Sequence, residues 1–233
     1  MKTELIVALD IPTSTEIPPI VDPLPDEISL YKVGLELFVS EGPCALEPLQ
    51  NRGKSVFLDL KLHDIPRTVA RAVKSAGKHG VKLLTVHACG GSDMLKAAAE
   101  AAANLGPDGP QLLAVTVLTS LGQADMDQLG VAGPVADQAM ALAELAVSSG
   151  IHGLVCSALE AERFRTALGP EPLIVTPGIR PAGGDVGDQK RVATPEMAVK
   201  AGASHIVVGR PILQADDPPQ TARGILDEIR TAT

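Results

Sequence analysis

Eight short, β-branched apolar runs recur along the chain with Ala-rich or amphipathic stretches between them, and this alternation restricts the fold more than any other feature. The runs are Leu5–Leu9, Ser29–Gly34, Ser55–Lys61, Leu83–His87, Leu112–Leu118, Gly153–Cys156, Leu173–Thr176 and His205–Gly209. Helices are expected over Thr13–Val21, Glu36–Asn51, Pro66–His79, Ser92–Asn104, Pro134–Ser149, Ala158–Leu168, Pro195–Ala201 and Pro218–Thr231. A strand repeatedly followed by a helix is the pattern of βα units on a parallel sheet. Eight such units in 233 residues fit a (β/α)8 TIM barrel, typically about 250 residues long, better than an open doubly wound sheet. No low-complexity linker divides the chain, so residues 1–233 read as one barrel domain.

The third run departs from an ordinary strand. Side chains alternate between the faces of a strand, so Phe57, Asp59 and Lys61 point one way and Val56, Leu58 and Leu60 the other. Asp64 follows Lys61 by three residues, and Pro66 suits a first helical position. An isolated Asp-x-Lys is usually a solvated ion pair. Inside so apolar a run the pair reads instead as a buried, functional array.

Active sites of such barrels lie at the C-terminal ends of the strands. Asp10, Lys32, Asp59, Lys61, His87, Thr119, Pro177 to Arg180, and Gly209 with Arg210 all fall there. Each has a plainer reading alone: Asp10 as a helix cap, Lys32 as a solvated strand end, His87 as a structural histidine, Thr119 as a turn residue. Their convergence on one rim carries more weight. The glycine-rich stretch from Thr176 to Gln189 contains Arg180, and Gly209-Arg210 ends the last run. Loops after the seventh and eighth strands are where such barrels hold phosphate, with Arg210 supplying charge-assisted bonds. The loop is also long enough to close over a ligand.

Composition excludes several classes. A formal net charge of −8 and 2% aromatic residues argue against a nucleic-acid binder, which needs a basic face and stacking platforms. No apolar run is long enough to span a bilayer, and the N-terminus lacks a signal-peptide pattern, so a cytoplasmic protein is expected. Cys44, Cys89 and Cys156 are too scattered for a disulfide framework or a zinc site. They are expected to be small buried hydrophobes.

The segments Val7 to Asp10, Tyr31 to Gly34, Asp59 to Pro66, Val117 to Ser120, Thr176 to Arg180 and Val208 to Arg210 together resemble the orotidine 5′-phosphate decarboxylase family over nearly the whole chain. The Asp-x-Lys-x-x-Asp core is shared with metal-dependent sugar-phosphate decarboxylases and aldolases. Ile65-Pro66 after Asp64 and the Gly187-Asp188-Gln189 loop favour the nucleotide enzyme. A non-catalytic phosphate sensor ranks below both, because buried charge is an expensive way merely to bind. Arg67 stands where the family usually has Asn, a departure that bears on local contacts rather than on the array.

The resemblance implies cofactor-free, metal-free decarboxylation of a nucleotide in pyrimidine synthesis by a homodimer with shared active sites. It implies that Lys32, Asp59, Lys61 and Asp64 form an alternating charge network, with Asp64, Ile65 and Thr68 entering the neighbouring subunit's site. Asp10 would bind ribose hydroxyls, Thr119 would meet the pyrimidine and Pro177 would pack near the base. Arg180, Gln189, Gly209 and Arg210 would hold the phosphate. His63 and His87 receive no chemical role.

Overall fold

The computed structural model describes residues 3–181 and 193–232. Its strands are β1 (Glu4–Leu9), β2 (Leu30–Val33), β3 (Ser55–Leu62), β4 (Leu83–His87), β5 (Gln111–Val115), β6 (Gly153–Val155), β7 (Leu173–Thr176) and β8 (His205–Val208). They pair in sequence order into a closed parallel barrel. Closure runs through β1 and β8, with Glu4 opposite His205 and Val7 opposite Val208. All eight expected strands are present. β5 stops at Val115, short of the expected Leu118. The apolar residues beyond it are explained by burial rather than by pairing, since Val117 is 4% exposed outside the sheet.

The helices are α1 (Ile17–Val21), α2 (Leu35–Glu41), α3 (Glu47–Gln50), α4 (Pro66–Lys78), α5 (Gly91–Ala103), α6 (Gln123–Gln128), α7 (Val135–Ser148), α8 (Ala158–Leu168), α9 (Pro195–Lys200), α10 (Arg210–Leu213) and α11 (Pro218–Ala232). Local chemistry sets several ends. Pro66 opens α4, where its missing N–H is no loss. Before α8 the Ser157 hydroxyl accepts from the Leu159 N–H, and the Glu160 carboxylate accepts from the Ser157 N–H. Gly169, at φ 79°, ends that helix.

The helix expected over Glu36–Asn51 is instead broken into α2, a 3-10 turn over Gly42–Leu46, and α3. Gly42 takes φ 62°, and Pro43 after it cannot continue the hydrogen-bond ladder. The short helices α6 and α10 lie outside the expected helices, because so few residues display no periodicity. The cysteines also differ from expectation: Cys156 is buried, but Cys44 and Cys89 are exposed in short 3-10 turns.

Alternation along the strands divides the apolar residues into two layers. Ile6, Ala8, Leu30, Phe57, Leu83, Leu113, Val175 and Val207 fill the barrel. Their sequence neighbours, such as Val7, Val56, Leu58, Leu84 and Ile206, pack outward against the helices. Burying Phe57, 2% exposed, contributes about 2–3 kcal/mol by itself. Parallel pairing brings every strand's C-terminal end to one rim, above this apolar plug. Among the described residues, no helix is long and apolar enough to cross a membrane.

His205, at the start of β8, gives the fold a pH dependence. It is 9% exposed, with Nε2 3.9 Å from the Glu4 carboxylate and Nδ1 3.3 Å from the Ser204 hydroxyl. Burial pushes its pKa below the ordinary value of 6.5; Glu4 opposes the shift and Lys82 adds to it. The unfolded chain therefore holds the proton more tightly. The stability linked to His205 is present above pH 6.5 and is lost as pH falls through the lower folded-state value. Thermal denaturation should show Tm declining from about pH 7 to about pH 5, with a shallower decline in His205→Gln. Identical slopes would remove His205 as a source.

Candidate active site

The geometry of the site begins with a defect in the barrel. Pairing of β3 with β4 follows a regular register through Leu58, then slips before Leu62. Within the slip, Lys61 adopts φ 51°, the one positive φ outside glycine among the described residues. Such a conformation is rare for a residue with a side chain and clusters at functional sites. The Lys61 N–H donates to the Thr85 hydroxyl on β4 at 2.8 Å.

Past this bulge, charges from three strand ends meet. The Lys61 ammonium lies 2.9 Å from Asp59 Oδ2, and the Lys32 ammonium lies 3.8 Å from the same oxygen. Lys32 also donates to Asp10 Oδ1 at 2.8 Å. The second Asp59 oxygen accepts from the Thr85 hydroxyl at 2.9 Å. The result is an alternating chain, Asp10–Lys32–Asp59–Lys61. Its centre is the drier part: the Lys32 and Asp59 side chains are 12% and 14% exposed, against 57% for Asp10. Desolvation at such a site offsets much of the Coulombic attraction, so stability alone does not account for the array.

Space for the array depends on glycine. A Cβ on Gly34 would lie 3.1 Å from the Lys32 ammonium and 3.2 Å from Asp10 Oδ1; one on Gly209 would lie 3.3 Å from the Ala8 Cβ and 3.5 Å from Asp10 Oδ2. A side chain at Gly34 would crowd the Asp10–Lys32 pair, and one at Gly209 would press on Ala8 while only touching Asp10.

The array lines a cavity of about 320 Å³, within the size range of small-molecule sites. Phe57, Val115, Val155 and Val207 give it apolar surface; Thr119, Ser120 and Pro177 border it, and Arg180 and Arg210 line it as well. Among the described lining residues, two carboxylates face four cations, a net charge of +2. In a chain whose net charge is −8, that local excess selects for an anion. After β7 the Arg180 N–H donates to the Ala193 carbonyl at 2.9 Å, and the Ala193 N–H to the Gly178 carbonyl at 3.3 Å.

Residues 3–225 match the family model described as orotidine 5′-phosphate decarboxylase / HUMPS family. The chain belongs to this family. It is 53% identical over 221 residues to the orotidine 5′-phosphate decarboxylase of Anaeromyxobacter sp. (strain K), covering 95% of this chain and 96% of that one. The Salmonella typhi orotidine 5′-phosphate decarboxylase is 47% identical over 224 residues, covering 96% and 91%. Among solved structures, orotidine 5′-phosphate decarboxylase from Lactobacillus acidophilus superposes with a TM-score of 0.86 at 40% identity, covering 97% of this chain and 99% of that one.

The family resemblance singled out thirteen positions. Nine of them line the one cavity: Asp10, Lys32, Asp59, Lys61, Thr119, Pro177, Arg180, Gly209 and Arg210. Asp64, Ile65 and Thr68 do not. All three are exposed at the start of α4, and Asp64 Oδ1 accepts from the Ile65 N–H at 2.6 Å rather than reaching Lys61. Gln189, with Gly187 and Asp188, lies outside the described residues. Arg67 is exposed beside Pro66 and does not line the cavity.

Sequence reasoning missed Thr85. In the run Leu83–His87 it looks like any β-branched strand residue; only the pairing of β3 with β4 sets it opposite Asp59, and the slip beyond turns the Lys61 N–H to its hydroxyl. His63 and His87 stack with ring centroids 5.3 Å apart. Burial, with the His63 and Lys61 charges, holds His87 below the ordinary histidine pKa, and its Nδ1 accepts from the Cys89 N–H at 3.4 Å. Neither ring lines the cavity.

Asp59 is the carboxylate shared by both lysines, so Asp59→Asn should leave two partly buried cations without their common counterion. Chemical denaturation should show a loss of about 2–4 kcal/mol, discounted for partial exposure from the ~3–5 kcal/mol of a fully buried broken pair. Adding Lys32→Met should restore part of that loss. No recovery would mean that the two lysines do not repel through this site.

Proposed function

We propose that this chain converts orotidine 5′-phosphate to uridine 5′-phosphate and CO2 in de novo pyrimidine nucleotide synthesis, with residues 1–233 acting as one catalytic domain and no metal or organic cofactor. The observation that carries this reading is one cavity in which the Asp10–Lys32–Asp59–Lys61 chain and two arginines meet, with a net charge of +2 among the described residues. Family membership and about half-identical decarboxylases support it. A phosphate monoester suits the arginines, and the reacting ring then meets the lysine–aspartate end.

The chemistry asks for a preset field. When the C6–carboxylate bond breaks, its electron pair stays on C6 as a carbanion that the ring delocalises poorly. The Lys61 ammonium stabilises that charge and transfers a proton to C6, and the resulting amine regains its proton from solvent. Asp59, 2.9 Å from the ammonium, orients it before substrate arrives, and Lys32 holds Asp59 from the other side. In this reading Asp10 binds the ribose hydroxyls, Thr119 meets the pyrimidine and Pro177 packs near the base. Arg180, Gln189, Gly209 and Arg210 grip the phosphate, and that remote binding energy lowers the barrier at C6.

The working unit is a homodimer in which Asp64, Ile65 and Thr68 enter the neighbouring site. Their exposure outside the cavity of their own chain suits this role. So does the exposure of the apolar residues Leu35 and Val39, four apart on α2, and of Ile65 before α4, at 51%, 78% and 67%, since large apolar side chains left in water suit a partner's surface. The activity belongs in the cytoplasm, where three free thiols stay reduced.

Purified protein in chelator should remove the orotate-type ultraviolet absorbance of orotidine 5′-phosphate. Lys61→Ala should lower turnover by roughly 10³-fold or more, the scale of a lost proton donor and countercharge, while uridine 5′-phosphate affinity changes little. An inactive wild-type protein would sink the reaction; near-native turnover in the variant would remove Lys61 from it.

Subunit sharing has its own test. Lys61→Ala and Asp64→Ala proteins, each nearly inactive, are mixed under conditions of confirmed subunit exchange. One site of each mixed dimer then has both native residues, so roughly a quarter of wild-type activity should return. If both residues served one chain's site, every site would carry a lesion and nothing would return.

A further inference from the structure

Among the described residues, the polar side chain tied to both halves of the Asp59–Lys61 pair is Thr85. Thr85 is 0% exposed and sits one strand layer above Leu83, as Asp59 sits above Phe57, a pair opposed in the regular part of the register. Leu83 and Phe57 belong to the apolar filling of the barrel. The polar layer of the site therefore begins at Asp59 and Thr85.

A hydroxyl has one proton to give and lone pairs to accept with. Both capacities are used: Thr85 donates to Asp59 Oδ1 at 2.9 Å and accepts from the Lys61 N–H at 2.8 Å. The first bond fixes the rotation of the carboxylate, so that Oδ2 faces both ammonium groups. The second satisfies an N–H that the slip in the β3–β4 register removes from the ladder, at the residue held at φ 51°. Thr85 does not line the cavity, so it acts only through its two partners.

We infer that Thr85 is a positioning residue: its hydroxyl locks the strained Lys61 backbone and the Asp59 carboxylate into one arrangement, so the ammonium is aimed before substrate binds. The inference rests on the decarboxylase reading for its kinetic consequence, though not for its structural one. Such a residue should act on kcat rather than on binding, because small misplacements of reacting groups are costly while the phosphate grip is untouched.

The test compares Thr85→Val, which keeps the shape and removes the hydroxyl, with Thr85→Ser, which keeps the hydroxyl. Thr85→Val should lower kcat by about ten- to a hundredfold, with KM and uridine 5′-phosphate affinity within about threefold of wild type. Thr85→Ser should restore most of the lost kcat. Thr85→Ala, which removes bulk as well, serves in the same comparison if the valine variant does not fold. A hydroxyl-free variant with wild-type kcat, a serine variant as impaired as it, or parallel loss of kcat and affinity would each overturn the inference. An inactive wild-type protein would overturn the decarboxylase reading instead. Crystal structures of wild type and Thr85→Val then decide the positioning role: Lys61 should leave the positive-φ region or Asp59 should rotate, and an unmoved pair overturns it.

Discussion

The Asp59 carboxylate is the contact on which the candidate site depends. One of its oxygens faces two ammonium groups, at 2.9 and 3.8 Å, and the other accepts from Thr85. Two lysines brought to neighbouring strand ends would otherwise repel across a half-dry cavity. With Asp59 between them, and Asp10 beyond Lys32, opposite charges alternate at every step. Preorganisation of this kind is useful when negative charge must develop beside a cation, because the protein need not reorganise in the transition state.

The barrel makes that arrangement possible by stacking layers of different polarity. Apolar residues one pleat down, Phe57 and Leu83 among them, exclude water from beneath the charges. Residues one pleat up carry the polar groups. Parallel closure turns all the strand ends toward one rim, so Asp10, Lys32 and Lys61, from β1, β2 and β3, converge without any long connection. The slip beside Lys61 then sets the backbone from which its ammonium meets Asp59.

Charge is distributed against the average of the molecule. An acidic chain repels anions at long range, yet the described residues of its cavity gather four cations against two carboxylates. Arg180 and Arg210 come from the connections after the last two strands, at one end of the sequence, whereas the lysines come from near the other. Barrel closure between β1 and β8 brings these distant regions together, so the anion-binding and lysine-bearing parts of the site share one cavity.

The sequence by itself determined the repeating βα pattern, the two-faced β3 strand and the position of nine cavity residues near strand ends. These follow from local rules: alternation along a strand, proline at a helix start, and charge where an apolar run should be uninterrupted. Tertiary structure alone decided how the strands register. It broke the helix expected over Glu36–Asn51 at Gly42, exposed Cys44 and Cys89, and ended β5 at Val115. It placed Asp64 outside the cavity of its own chain and Thr85 against Asp59 and Lys61. The physical reason is that a residue's partner across a sheet depends on pairing between distant segments, and a slip between β3 and β4 leaves no mark in the local composition of either strand.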